Sequence, residues 1–190
     1  MNNLASLAVF GGLTLNLILQ LGLGINQIRY EIKSKLKYLA LNYVNLFLTI
    51  CILWLLWSYA LSPLALGFTE YFLMFPFVCF LFSGIEMVFY MLFMRNEKSP
   101  IIFEAKSYHG LGIAALLIML RMANNLIEAL VLGFSFSLGA FIIVIILIAV
   151  RQRTVNERVP LKFRGMPLLL ISFGLISLVL SSLAFILLLK

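Results

Sequence analysis

Four residues that could do chemistry stand close together in an apolar run. Arg121, Asn124, Asn125 and Glu128 fall within residues 110–133, GLGIAALLIMLRMANNLIEALVLG. The run is long enough to cross a bilayer. Continued as one helix at about 3.6 residues per turn, it puts Arg121, Asn125 and Glu128 on one face. A charge at membrane depth costs at least about 2.5 kcal/mol, so such groups turn toward protein or a wet cavity. Asn16, Gln20 and Asn26 near the start of the chain, and Glu86 in its middle, are the other candidates for an ion path or buried polar cluster. Glu86 and Glu128 could carry protons, or bind Na⁺ with the amide oxygens, and Arg121 could set their charge state. Arg121 is expected to find its counter-charge in Glu128 or in Glu86. The competing expectation is a buried structural pair, or a Glu128 that lies in an extracellular turn.

Other chemistry is poorly represented. No CxxC, HExxH, GxxxxGK[ST] or GxGxxG pattern occurs. Cys51 and Cys79 lie in apolar runs and are expected to be buried small hydrophobes. The one histidine, His109, falls at the edge of an apolar run. With no nucleophile–base pair, metal-ligand cluster or phosphate loop, a membrane-embedded enzyme has little support.

The elements that must position these residues are membrane helices. The chain has 190 residues, 64% hydrophobic and only 11% charged, against about 25% charged in soluble domains. Its mean hydropathy is +1.13. The fold class is an all-α polytopic membrane protein, one domain over residues 1–190, with six transmembrane helices. They are expected at about residues 4–25, 38–61, 64–94, 110–133, 134–150 and 166–189. Gly22 and Gly24 favour a break late in the first. Trp54 and Trp57 suit an interfacial aromatic belt. The third stretch is longer than the roughly 20 residues a span needs, so it tilts, kinks at Pro76 or begins in the interface near Glu70. No polar loop separates the fourth from the fifth. The fourth helix is therefore short or broken, with the turn near residues 124–128 or 133–137.

Charge sets the orientation. The net charge is +7. Twelve of the fourteen Lys and Arg residues fall in the first, third and fifth loops; the exceptions are Arg121 and Lys190. The positive-inside rule puts those loops in the cytoplasm and both termini outside. The same distribution explains the positive charge without nucleic acid as a partner. A faint internal repeat lays residues 12–27 over residues 110–125, matching Asn26-Gln27 to Asn124-Asn125. Halves of about 1–94 and 110–190 would then form an inverted 3+3 repeat, with interrupted helices one and four meeting near the midplane.

The end of the chain carries a family signature. Val159-Pro160, Phe163-Arg164-Gly165, Ile171, Gly174-Leu175 and Ser177-Leu178 resemble the closing pattern of the Rnf and Nqr membrane subunits (RnfA/RnfE, NqrD/NqrE). Glu86-Met87, Leu111-Gly112-Ile113, Gly133-Phe134-Ser135, Gly139, Arg151-Gln152-Arg153 and the run from Asn16 to Gly24 are also similar, so the likeness covers nearly the whole chain. The resemblance implies inverted three-helix repeats. It also implies membership of a complex that couples electron transfer to Na⁺ or H⁺ movement. In that family a pair of subunits holds a [2Fe–2S] cluster on cysteines from the interrupted helices. Here the G-x-C-P turn reads Gly24-Ile25-Asn26-Gln27. The TNCA run reads Leu120-Arg121-Met122-Ala123 when Leu-Gly-Ile anchors the alignment, and an ungapped alignment back from Gly133 puts Gly110 at the cysteine. Neither supplies a thiolate, so this chain departs from the family at its cluster ligands.

Two functions follow. The first is a cluster-free scaffold or ion-path subunit of an Rnf/Nqr-like complex in the cytoplasmic membrane, at most a non-catalytic part of an oxidoreductase. Its expected partners are lipid and other membrane subunits, including a paralogous six-helix subunit. It is expected to hold no cofactor or metal of its own. The second is a six-helix solute-binding transporter subunit, such as the S-component of an energy-coupling-factor importer.

Overall fold

The computed structural model describes residues 3–14, 16–21, 32–61, 69–93, 106–156 and 166–188, and every element among them is a helix. Helix α1 (Asn3–Val9) runs into a π-helical segment, Phe10–Thr14, and after an interruption at Asn16 the chain resumes as α2 (Leu17–Leu21). Helix α3 (Ile32–Leu56) ends in a second π-helical segment, Trp57–Leu61. Then follow α4 (Thr69–Phe93), α5 (Lys106–Met122), α6 (Leu126–Asn156) and α7 (Met166–Leu188). Among the described residues four helical stretches are long and apolar enough to cross a membrane: Leu39–Leu61, Phe72–Phe89, Leu126–Arg153 and Leu170–Leu187. Two shorter apolar helices, Leu4–Thr14 and His109–Met122, accompany them. The chain is an all-α integral membrane protein.

Its centre is the antiparallel pair α3 and α6. Tyr43 meets Phe141 edge to face at 5.6 Å, and Phe47 meets Phe134 at 6.0 Å. Between the same helices a Cβ on Gly133 would lie 2.9 Å from Cys51 Sγ, so the missing side chain sets how closely α6 approaches α3. Helices α4 and α5 pack on α3, α1 and its π-helical continuation pack on α6, and α7 packs mainly on the interrupted first helix and also on α6. The outer helices α4 and α7 leave much apolar surface uncovered, including Phe72, Phe80, Leu175 and Leu178. That is the surface a bilayer covers without penalty.

Several sequence expectations change. The first helix is interrupted at Asn16, before the glycines; Gly22, Gly24 and Asn26 lie outside the described residues. Trp54 and Trp57 are each 3% exposed and belong to the protein core, so neither reaches a headgroup belt. Helix α4 begins at Thr69, beside Glu70, and continues unbroken past Pro76 for 25 residues, about 37 Å. Lys33, Lys35 and Lys37 belong to the first turns of α3, and Arg151 and Arg153 to the end of α6. The basic stretches therefore extend the helices rather than merely joining them.

Candidate functional site

Residues 110–133 are not one helix. Helix α5 closes with the Ala123 N–H donating to the Met119 carbonyl at 2.9 Å, and α6 opens with the Ala129 N–H donating to the Asn125 carbonyl at 3.0 Å. Asn125 is therefore the N-cap of α6 and Glu128 its third residue. The Glu128 carboxylate reaches back to accept the Asn124 N–H at 2.9 Å, close to a capping box shifted by one residue. It also places negative charge at the positive end of a long helix.

The shared face of Arg121, Asn125 and Glu128 is thereby lost, because the backbone changes direction between them. Arg121, Asn124 and Asn125 are exposed and Glu128 is half-buried. Among the described residues Arg121 makes no ion pair. Nor does it meet Glu86. Helix α5 runs antiparallel to α4: a Cβ on Gly112 would sit 3.1 Å from Val78, and His109 lies against Cys79 and Phe82. Glu86 is thus near the His109 end of α5, and Arg121 is about 18 Å along that helix from His109.

Burial selects a different pair of polar places. At the first interruption Asn16 is 3% exposed, and its carbonyl accepts the Gln20 N–H at 3.0 Å. Its amide nitrogen donates to the Gly12 carbonyl at 3.3 Å, while its Oδ1 and the Thr14 hydroxyl are buried without a partner. The Gln20 side chain, though exposed, donates to the Thr14 carbonyl. This leaves two bare acceptor oxygens beside the last carbonyls of a helical segment, a locally electronegative spot inside an apolar core. Gly12 packs on α6 at Ser135 and Gly139. That contact is about 15 Å along α6 from the Asn125 turn.

The second place is the contact of α3, α4 and α5. Asn45 is 1% exposed; its amide donates to the Phe82 carbonyl at 3.1 Å and its Oδ1 accepts from Thr49 at 3.2 Å. Asn42 is buried one turn before. Asn42, Asn45 and Thr49 were not among the sequence candidates. Their spacing of three and four was the available signal: a polar stripe along one face of an otherwise apolar helix. Glu86, half-buried, stands one turn after Phe82.

The thiols do not assemble a cluster site. Cys51 faces Gly133 between α3 and α6, Cys79 faces His109 between α4 and α5, and neither stands at an interruption. Among the described residues no three His, Cys, Asp or Glu side chains group closely enough to hold a metal ion.

Fold and site define an integral membrane protein with buried polar groups at an interrupted helix and a second cluster between three others. Its similarities to known proteins point one way. A protein of Histophilus somni, named as belonging to the ion-translocating oxidoreductase complex, is 40% identical over 68 residues, 36% of this chain and 34% of its own length. The protein of the same name in Buchnera aphidicola is 39% identical over 57 residues, 30% of this chain and 29% of its own. That of Escherichia fergusonii is 26% identical over 149 residues, 74% of this chain and 72% of its own. The chain spans about a third of the length of the first curated relatives it matches. No family model matches it.

Proposed function

We propose that this chain is an integral membrane subunit of an Rnf/Nqr-like ion-translocating electron-transport complex, a scaffold or ion path without a cluster of its own. The observation that carries this reading is a likeness to these oxidoreductase-complex proteins that extends, at lower identity, over 74% of the chain. The interruption at Asn16 supports it: two unpaired oxygens kept in an apolar core cost stability and suit a function that uses them. Glu86 and Asn16 are the inward candidates for an ion path, while Glu128, Asn124 and Asn125 shape a turn.

In this reading the short apolar helices are spans one and four, the four long ones complete six spans, and the halves form an inverted repeat in the cytoplasmic membrane. The [2Fe–2S] ligands are missing from this chain, so any cluster in the assembly rests on other subunits. A paralogous six-helix subunit is the natural neighbour for the apolar outer faces.

The test is isolation of the native complex through a tagged copy of this chain. Co-purifying subunits that carry flavin or iron are the expected result. A pair of ATPases would replace this reading by the energy-coupling-factor one.

A further inference from the structure

The buried face of α4 is a series spaced by four: Met74, Val78 and Phe82 are all 2% exposed or less. Glu86 is the next position in that series and is half-buried. Cys79 and Glu86, seven residues apart, lie within about 20° of each other around the helix and about 10 Å apart along it. His109 enters from α5 beside Cys79 and Phe82, one turn before Glu86. Its Nδ1 stands 3.5 Å from Cys79 Sγ, and its ring packs edge-on to Phe82 with centroids 5.6 Å apart.

The other ring nitrogen, Nε2, is buried and has no partner. If the thiol donates to Nδ1, Nε2 carries the proton; if Nδ1–H donates to sulfur, Nε2 is a bare acceptor. Either way a polar atom is left unsatisfied, which costs about 1–3 kcal/mol unless another group uses it. The titratable side chains on these faces, among those described, are Cys79 from α4 and His109 from α5, which touch, and Glu86 on the next turn of α4. Helix α3 contributes Asn45 and Thr49, which do not titrate; its Cys51 faces α6. Arg121 is at the far end of α5.

The geometry points to Glu86 and His109 as a proton-exchange pair on the α4–α5 contact, with Cys79 orienting the imidazole and Asn45 holding the turn of α4 that carries the carboxyl. One proton leaves the Glu86 carboxylic acid and adds to Nε2, giving a carboxylate and an imidazolium; no electrons move. This deepens the proposed function, on which it rests for its purpose, by naming H⁺ as the ion handled at this place.

His109 is the only histidine, so ¹⁵N-histidine labelling of the full chain in lipid bilayers yields a single imidazole. Following its nitrogen signals against pH in wild type, Glu86→Gln and Cys79→Ala tests the pair. Loss of the carboxylate should weaken the hold of Nε2 on its proton by about tenfold. Cys79→Ala should alter the Nδ1 signal. An Nε2 titration identical in wild type and Glu86→Gln would overturn the pairing. Should Glu86→Gln fail to fold, the carboxyl stretch of Glu86 in His109→Gln serves instead: a displaced midpoint supports the pair and an unmoved one overturns it. Both measurements use the isolated chain. An uncoupled titration therefore sinks the pair and leaves the complex standing, while failure to find a redox complex leaves the pair intact.

Discussion

Gly139 of α6 lies directly against Gly12 of the π-helical segment. A Cβ at Gly139 would come within 2.9 Å of the Gly12 Cα and closer still to its carbonyl, the same carbonyl that Asn16 holds. Both neighbours are backbone and cannot turn aside. Gly139→Ala should therefore destabilise the protein by about 1–3 kcal/mol and disturb the Asn16 interruption. Gly174→Ala on α7, where nothing lies within 4 Å, should be neutral or stabilising by up to about 1 kcal/mol. Thermal unfolding in detergent compares the two, and equal effects would show that the Gly12–Gly139 approach is not a constraint.

Gly133 poses a softer version of the same problem, since its obstacle is the Cys51 sulfur. Gly133→Ala alone should cost about 1 kcal/mol or more. In a Cys51→Ala background most of that cost should vanish, because the colliding atom is gone. A double-mutant cycle reads the coupling, and strict additivity would argue against the contact.

Asn45 ties α3 to α4 through the Phe82 carbonyl. Hydrogen bonds between membrane helices average about 0.6 kcal/mol and reach about 1.7. Asn45→Ala should fall near the upper value, since it also removes the acceptor for Thr49. Thr49→Val should cost less. Unfolding in mixed micelles measures both, and a Thr49→Val effect larger than that of Asn45→Ala would reverse the hierarchy.

Arg121 and Glu128 should behave as strangers. Arg121 is exposed, so Arg121→Leu should change stability by no more than about 0.5 kcal/mol. Glu128→Ala should cost about 1 kcal/mol through the lost cap on Asn124, whereas Glu128→Gln retains an acceptor and should cost a few tenths. Coupling between the two sites above about 0.5 kcal/mol would restore the buried pair that the intact-helix pattern suggests.

Orientation is tested separately. The odd-loop placement of Lys and Arg predicts that a reporter fused after Lys190 is periplasmic and one inserted at residues 155–158 is cytoplasmic. The opposite pattern would remove the charge argument.

What the sequence determined by itself was the solvent and the class. With 64% hydrophobic residues, gathered in long runs without the alternation of a barrel strand, the sequence points to membrane helices, which satisfy their backbone groups within each span. That a break must fall at residues 124–128 or 133–137 was legible too, since the apolar run is otherwise too long; the structure chose the first. Only tertiary structure decided which polar groups matter to one another. Helical spacing joined Arg121 to Glu128, but three non-helical residues redirected the chain and made Glu128 a cap. Nothing in one-dimensional spacing brings His109 to Cys79, or Asn45 to Phe82, because those approaches depend on how α4 and α5 dock on α3. The depth of Gly139 against Gly12 was hidden for the same reason: a glycine's role is set by what occupies the space its side chain would need, and that occupant comes from another helix.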